Sequence, residues 1–376
     1  MKLIRSTTVP QTLNTFCKGL LKELKHEGYE VVAVSSPGEE LDELANSEGI
    51  RTIALPMERR ISPFKDMKSL WQMWRLMRRE KPDMVHSMTP KAGMVTMVAA
   101  WLTRVPIRIH TFTGLVFPTS TGLKRRILMF TDWLTCACAT HIIPEGEGVK
   151  ADLQNNKITK KNIRVLGYGN IRGIDLEHFK PMSHLTHLEE GGFSFVFVGR
   201  LVGDKGINEL IEAFSRLNKE HPETRLVLVG PEEEKIDPIQ PETAAEINRN
   251  QSIEAVGRQK DVRPFFASAD ALVFPSYREG FPNVVIEAGA MGLPSIVTDI
   301  NGSREIIIDG ENGMIVPSKN AEALYQAMKH FVENPEDVKR MAENARPLIA
   351  SRYEQSYVRQ CLKDFYKECI ASISKD

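Results

Sequence analysis

Two series of short apolar runs, each followed by an amphipathic stretch, succeed one another along the chain and part near residue 180. In the first series, residues 3–5, 30–34, 83–86, 107–110 and 141–143 read as short buried strands. Helical spacing fills 12–27, 67–80, 91–103 and 122–135. In the second series, 193–199, 225–230, 271–275 and 294–298 predict strands, and 207–217, 320–334, 336–350 and 353–373 predict helices. Residues 231–252 are polar and acidic, a loop with room for one helix. Such alternation is the signature of β-α-β units and a parallel sheet. The expected architecture is α/β, with two Rossmann-like doubly wound domains facing across a cleft. They would span 1–180 and 181–352, followed by a final helix over 353–376.

Composition narrows the class. At 376 residues and 42% hydrophobic, the chain can fill two separate cores. No apolar run reaches the roughly 18–20 residues that span a bilayer. Met1-Lys2-Leu3-Ile4-Arg5 runs into polar Ser6-Thr7-Thr8, unlike a signal-peptide core, so a cytoplasmic location is expected. Cys17, Cys136, Cys138, Cys361 and Cys369 show no metal-ligand spacing, and Cys136 and Cys138 read as small core residues. The zero net charge hides an asymmetry. Of 49 basic and 49 acidic residues, residues 1–180 hold 27 and 18, leaving 22 and 31 for the rest. Opposite balances suggest two domains with different partners.

In open α/β sheets, ligands sit at the loops that follow strands. After the strand ending at Pro275 comes Ser276-Tyr277-Arg278-Glu279-Gly280-Phe281-Pro282-Asn283. Gly280 and Pro282 signal a helix start. The helix would run from Asn283 through Met291 and stop at Gly292. Its free backbone N–H groups and positive dipole end suit a diphosphate. Glu279 lies in the loop, and Glu287 lies further along, inside the helix. Either carboxylate alone reads as part of a solvated face. Bracketing a turn that holds Gly280, Phe281 and Pro282, the pair can face one hydroxyl-rich ligand such as ribose or hexose.

This segment resembles the E-x7-E motif of the retaining GT-B glycosyltransferases of family four. Agreement continues upstream through Val256-Gly257-Arg258, Asp261-Val262, Ala269-Asp270-Ala271 and Pro275-Ser276. Downstream it passes through Gly292-Leu293-Pro294, Asn301-Gly302-Ser303-Arg304-Glu305 and Asp309-Gly310-Glu311-Asn312-Gly313. The match is close over the C-terminal half and loose over the N-terminal half. The resemblance implies that 1–180 binds acceptor and 181–352 binds a nucleotide sugar, with helix 353–376 crossing back onto the first domain. It further implies that Glu279 contacts the donor sugar near the reacting centre and that Glu287 hydrogen-bonds the ribose. Backbone around Gly280, Phe281, Asn283 and Val284 would meet the diphosphate; Pro282 has no N–H to offer.

Gly199-Arg200-Leu201-Val202-Gly203-Asp204-Lys205-Gly206 follows the strand ending at Val198. Two cations five apart in a Gly-rich turn suit two phosphates, and a solvated loop is the plainer reading. The element is similar to the family's G-R-L…K-G, which implies that Arg200 and Lys205 stabilise the leaving diphosphate. Gly257 and Arg258 are the candidates beside the base. The residues do not choose among UDP, GDP and ADP; UDP is expected from its frequency in the family. The family uses no essential metal, and no Asp-x-Asp motif stands here to hold one. The only cofactor-like molecule expected is the donor sugar nucleotide.

The N-terminal half departs from the family pattern. Ser6-Thr7-Thr8-Val9-Pro10 replaces a Gly-rich turn, and no GxGxxG fingerprint exists. Thr89-Pro90-Lys91-Ala92-Gly93 resembles an element of polysaccharide-building members. In Ile109-His110-Thr111-Phe112-Thr113-Gly114, Thr113 stands where many relatives carry a histidine near the donor sugar. Either His110 or the Thr113 hydroxyl substitutes, or the role is dispensable; a lone histidine at a strand end also serves structure alone. Asn170-Ile171-Arg172-Gly173-Ile174-Asp175 and Phe179 resemble the element that ends the first domain. Tyr353, Tyr357, Phe365 and Tyr366 read as a core stripe.

Residues 58–80 hold Arg59, Arg60, Lys65, Lys68, Arg75, Arg78 and Arg79 beside the apolar Leu70, Trp71, Trp74 and Met77. Lys124-Arg125-Arg126 opens a second such helix with Ile127, Met129, Phe130 and Trp133. Basic amphipathic helices with tryptophan fit docking on an anionic membrane, and equally fit a stripe turned into a core. The expectation is a retaining hexosyltransferase acting on a surface glycan or its polyprenyl-linked precursor, peripheral at the inner membrane face, with no nucleic-acid partner. Two rivals are a sugar-nucleotide epimerase of the same architecture and a non-catalytic sugar-nucleotide-binding protein. The first needs an acid/base set that is not found, and the second would be marked by loss of Glu279, Arg200 or Lys205.

Overall fold

The computed structural model describes residues 1–58, 62–182, 192–233 and 237–373. Arg59 and Arg60 of the basic stretch lie outside them. The chain forms two compact units, Met1–Gly173 with Ser356–Asp376, and Ile174–Gln355.

In the first unit, β1 (Lys2–Ser6), β2 (Glu30–Ser35), β3 (Arg51–Ala54), β4 (Met84–Met88), β5 (Ile107–Phe112) and β6 (His141–Pro144) make one sheet. Its order is β3-β2-β1-β4-β5-β6, and every pairing is parallel. The connecting helices are α1 (Pro10–Cys17), α2 (Leu20–His26), α3 (Glu39–Glu48), α4 (Pro63–Glu80), α5 (Pro90–Leu102), α6 (Gly122–Cys138) and α7 (Glu147–Asn155). Both sheet faces are covered, so the strands read as continuous apolar runs. Ile4, Val32 and Val85 pack under α4–α6, while Leu3, Val31 and Met84 face α1–α3.

The second unit repeats this topology. Its strands are β7 (Phe193–Val198), β8 (Thr224–Val229), β9 (Ile253–Gly257), β10 (Ala271–Phe274), β11 (Ser295–Thr298) and β12 (Gly313–Val316), in the order β12-β11-β10-β7-β8-β9. The helices are α8 (Ile207–Glu220), α9 (Pro241–Arg249), α10 (Arg263–Ala267), α11 (Asn283–Ala290), α12 (Ser303–Ile306), α13 (Ala321–Glu333) and α14 (Pro335–Tyr353). One core of buried side chains, Phe195, Phe214, Phe266 and Phe331 among them, fills it. The last helix, α15 (Gln355–Ile373), belongs to the first unit and covers the sheet face that α1–α3 leave open, through Leu362, Phe365, Tyr366 and Cys369. A buried polar cluster ties it there: Arg5 donates to the Tyr366 hydroxyl (2.8 Å), which also hydrogen-bonds His86 Nδ1 (2.6 Å).

Several elements differ from the sequence reading, each for a local reason. The helix expected over 12–27 is broken into α1 and α2 at Gly19, whose φ is +81°. Arg359 of α15 donates to the Lys18 carbonyl there (2.7 Å), and a Cβ on Gly19 would stand 2.5 Å from that guanidinium. The aromatic stripe is likewise divided. Tyr353 closes α14 inside the second unit, Tyr357 is exposed, and only Phe365 and Tyr366 enter the first core. Strands β3, β9 and β12 were not anticipated. All three are edge strands with half-exposed side chains, which the apolar-run signal does not detect.

Candidate active site

Identical strand order in the two sheets, parallel throughout, puts a reversal of the order in which strands are added between β1 and β4, and another between β7 and β10. Ligands of such sheets bind outside the strands' carboxyl ends at that reversal. In the second unit the two loops there are Gly199–Gly206 after β7 and Pro275–Pro282 after β10. They are the loops that carry Arg200, Lys205 and Glu279.

Lys205 Nζ is ion-paired with Glu279 Oε1, and the two side chains are 16% and 19% exposed. The pairing is held from several sides. Ser276, fully buried, places its hydroxyl 3.0 Å from the same Glu279 oxygen, and its own carbonyl accepts from Thr298 Oγ1. Tyr277 N–H donates to the Asp204 carbonyl (2.8 Å), and Arg278 reaches the Asp204 carboxylate (3.2 Å). The Tyr277 hydroxyl donates to Glu209 of α8. Burial comes first among the causes that push that phenol up, ahead of the carboxylate beside it. Gly206 permits the approach of the two loops: its φ is +73°, and a Cβ would stand 2.1 Å from the Pro275 carbonyl oxygen. Arg200 is placed differently. It is half-exposed and donates to Glu233 (2.7 Å) rather than to Glu279.

Beyond the loop, Pro282 occupies the N-cap and α11 begins at Asn283, with Gly292 left-handed just past its end. Along α11, Val285, Ile286, Ala288, Gly289 and Ala290 are buried, whereas Asn283, Val284 and Glu287 are half-exposed. Residues three and four apart share a helix face, so these three form one accessible stripe leading from the helix start. Phe281 is buried and meets the Tyr353 ring at 5.6 Å; the Tyr353 hydroxyl donates to the Glu305 carbonyl (3.0 Å). Gly280 and Phe281 lie so close to Gly302 that a Cβ there would sit 2.6–2.7 Å from their backbone. Gly257, with φ +66°, and exposed Arg258 stand at the end of β9, two strands from β7.

Sequence reasoning missed Ser276, Asp204, Tyr277 and Glu209 as the scaffold of this pair. The short-range signal, a serine and an aspartate in loops, was present, but partners more than sixty positions away in the chain were not legible.

In the first unit, His110 is 1% exposed. Its Nδ1 lies 2.8 Å from Ser87 Oγ, and its ring packs edge-on against Phe112 and directly on the α5 backbone at Gly93. Burial holds the imidazole down at about 3, so it is neutral at physiological pH. These are the surroundings of a structural histidine, and the catalytic expectation for His110 finds no accessible face on the ring. Thr113, beyond the end of β5, is half-exposed. The loops after β1 and β4 are joined by the Thr8 and Thr89 hydroxyls (2.7 Å), and Lys91 is ion-paired with Asp66.

Two family profiles cover the chain: the glycosyl transferase 4-like domain matches residues 12–169, and glycosyl transferases group 1 matches 185–347. A capsular polysaccharide biosynthesis glycosyltransferase of Staphylococcus aureus, CapM, is 31% identical over 371 residues, covering 97% of this chain and 96% of its own. The chain belongs to the glycosyl transferases group 1 family. It is a glycosyltransferase of the GT-B fold, two parallel six-stranded sheets with helices. A second relative of this glycosyltransferase is the UDP-Gal:α-D-GlcNAc-diphosphoundecaprenol α-1,3-galactosyltransferase of Escherichia coli. It is 26% identical over 339 residues, 86% of each chain. The Anabaena protein HepE, solved in complex with UDP, superposes with a TM-score of 0.80 at 16% identity, over 98% of this chain and 100% of its own. That likeness concerns the fold.

Proposed function

We propose that this glycosyltransferase moves a hexose from a UDP-sugar to a lipid-linked glycan acceptor in surface polysaccharide synthesis, with retention at the anomeric carbon. The observation that carries the reading is the Lys205–Glu279 pair at the strand reversal of the second sheet, in the loop that leads into α11. A cation, a carboxylate and a helix start suit the diphosphate and the hydroxyls of a nucleotide sugar.

In this reading Glu279 accepts hydrogen bonds from the donor sugar and Glu287 from the ribose. Arg200 and Lys205 neutralise the diphosphate as the glycosidic bond breaks, which is the step where fixed charge lowers the barrier most. Backbone around Gly280, Phe281, Asn283 and Val284 borders the diphosphate, and Gly257 with Arg258 borders the base. Residues 181–352 thus serve the donor, and 1–180 with the helix over 353–376 serve the acceptor, with the Thr113 hydroxyl at the place of the family's histidine. The names of the relatives support the acceptor: one concerns capsule, the other a diphosphoundecaprenol-linked sugar. The UDP bound to HepE supports the base. Polyprenyl carriers reside in a bilayer, so a peripheral position at the inner membrane face is part of the reading.

The test is a panel of UDP-, GDP- and ADP-sugars offered with a polyprenyl-diphosphate sugar acceptor. Acceptor-dependent release of UDP and an axial linkage from an axial donor are expected. Nucleotide binding without acceptor-dependent release from any donor, or an inverted linkage, overturns it.

A further inference from the structure

Helices α4, α5 and α6 lie side by side on one face of the first sheet, with α5 in the middle. Each turns one stripe into that core: Met73, Leu76 and Met77 on α4, and Thr135 and Cys136 on α6. A second apolar stripe on the same helices faces solvent. On α4 it is Phe64 (90% exposed), Met67 and Trp71, which follow helical spacing along one side. On α6 it is Leu123, Ile127, Phe130 and Trp133, the last two stacked at 5.8 Å. Trp101 and Leu102 at the end of α5 are exposed as well. Single exposed hydrophobics are ordinary, but three neighbouring helices carrying large ones outward form a patch.

The charge of this layer is one-signed. Lys68, Arg75, Arg78 and Arg79 of α4, and Lys124 and Arg126 of α6, are exposed. The helices hold three acids and none is presented to solvent. Asp66 is paired with Lys91, Glu80 with Lys2, Arg51 and Arg79, and Asp132 is buried. Arg75 stacks over Trp71 (4.8 Å) and Arg78 over Trp74 (5.0 Å), so cation and ring occupy the same level of the helix. At the foot of β4 and β5 an open groove of about 520 Å³ is lined by Trp74, Arg78, Lys81 and Arg104 without any carboxylate.

We infer that the outward face of α4, α5 and α6 docks on the surface of an anionic lipid bilayer, with its aromatic and aliphatic side chains inserted at the headgroup level and its cations on lipid phosphates. Charge decides between occupants. A second copy of this face would oppose cation to cation, and a neutral partner would leave Lys68, Arg75, Arg78, Lys124 and Arg126 without counter-charge. An anionic headgroup layer supplies that charge, and Trp, Phe and Leu beside Lys and Arg are the composition of interfacial helices. The inference names the face that meets the membrane in the lipid-linked acceptor reading, but it stands or falls without donor or acceptor.

The test is sedimentation of the full chain with vesicles of phosphatidylglycerol and phosphatidylcholine, against phosphatidylcholine alone. Binding to the anionic vesicles, a blue shift of tryptophan emission and weakening by salt are expected. The fourfold variant Arg75→Glu, Arg78→Glu, Lys124→Glu, Arg126→Glu should lower the partition coefficient at least about a hundredfold. Phe64→Ser with Phe130→Ser should lower it about tenfold or more while preserving the salt response. All six positions are exposed, so unchanged circular dichroism certifies the fold. No binding to anionic vesicles overturns the inference, as does equal binding to phosphatidylcholine or undiminished binding by the charge variant. Concentration-dependent dimerisation that the same substitutions abolish would assign the face to a second copy instead. Loss of vesicle binding with transfer to a detergent-solubilised acceptor intact leaves the proposed reaction standing. The opposite outcome removes the reaction and keeps the docking face.

Discussion

Lys205 and Glu279, 74 residues apart in the chain, neutralise each other at the strand reversal of the second sheet. Neither side chain is more than a fifth exposed. Each is thus supplied with an opposite charge before any ligand arrives. A diphosphate would compete with Glu279 for the ammonium, and a sugar hydroxyl would then satisfy the released carboxylate. In the proposed reading the pair is a preassembled site whose two halves would exchange partners on binding.

Such coupling has a kinetic consequence. Lys205→Ala and Glu279→Ala should each cost about 2–4 kcal/mol of transition-state stabilisation. Removing one leaves the other partly buried and unpaired, so part of each loss is shared. The double variant should then lose less than the sum of the single losses by at least about 1 kcal/mol in kcat/KM. Strict additivity in the four-variant cycle would show that the two groups act independently, and wild-type rates in the double variant would remove both from the reaction.

Gly302 tests the loop rather than the charges. Its φ of +75° disfavours a side chain, and a Cβ would press on the backbone of Gly280 and Phe281. Gly302→Ala should destabilise the second unit by about 1–3 kcal/mol and displace the segment that leads from Glu279 into α11. Reduced kcat with a lowered unfolding midpoint is expected. A variant with unchanged midpoint and activity would mean that the loop does not depend on this contact.

Central strands and the loops after β7 and β10 were legible in the sequence because both depend on local pattern. β1, β4, β7 and β10 are buried on two faces and show as apolar runs, and Gly280 with Pro282 announces the start of α11. The edge strands β3, β9 and β12 carry half-exposed side chains and left no such mark. Tyr277 on Asp204 and Glu209, Arg359 at the break between α1 and α2, and the Arg5–Tyr366 contact all join distant positions, and no periodicity reports them. The amphipathic pattern of α4 was open to two interpretations because both hold: one stripe enters the core and another faces water.

Asp132 makes the α6 layer sensitive to pH. Burial alone pushes its carboxyl up to about 7, far above the usual 3.8. The folded chain therefore binds this proton more tightly than the unfolded chain, and the residue costs stability progressively as pH rises from about 4 to about 7. Asp132→Asn should stabilise the protein by about 2–4 kcal/mol at pH 8, with the gain shrinking as pH falls toward 4. Urea unfolding of both proteins across that range measures it. A gain that does not vary with pH would show that Asp132 ionises without hindrance in the fold.

His110 acts in the opposite direction. Its imidazole is held at about 3 by burial, against the usual 6.5, and His86 is lowered for the same cause with the Arg5 cation adding to it. Between the two values the unfolded chain takes up a proton that the folded chain refuses. Stability is therefore complete above about pH 6.5 and falls as pH drops toward 3, by up to about 1.4 kcal/mol per pH unit for each histidine. His110→Gln cannot titrate. Whatever its absolute stability, the slope of its unfolding free energy between pH 6 and pH 5 should be shallower than that of the parent by most of one histidine's share. Equal slopes would place an accessible, ordinarily titrating imidazole at this position and reopen a direct role for His110 in the reaction.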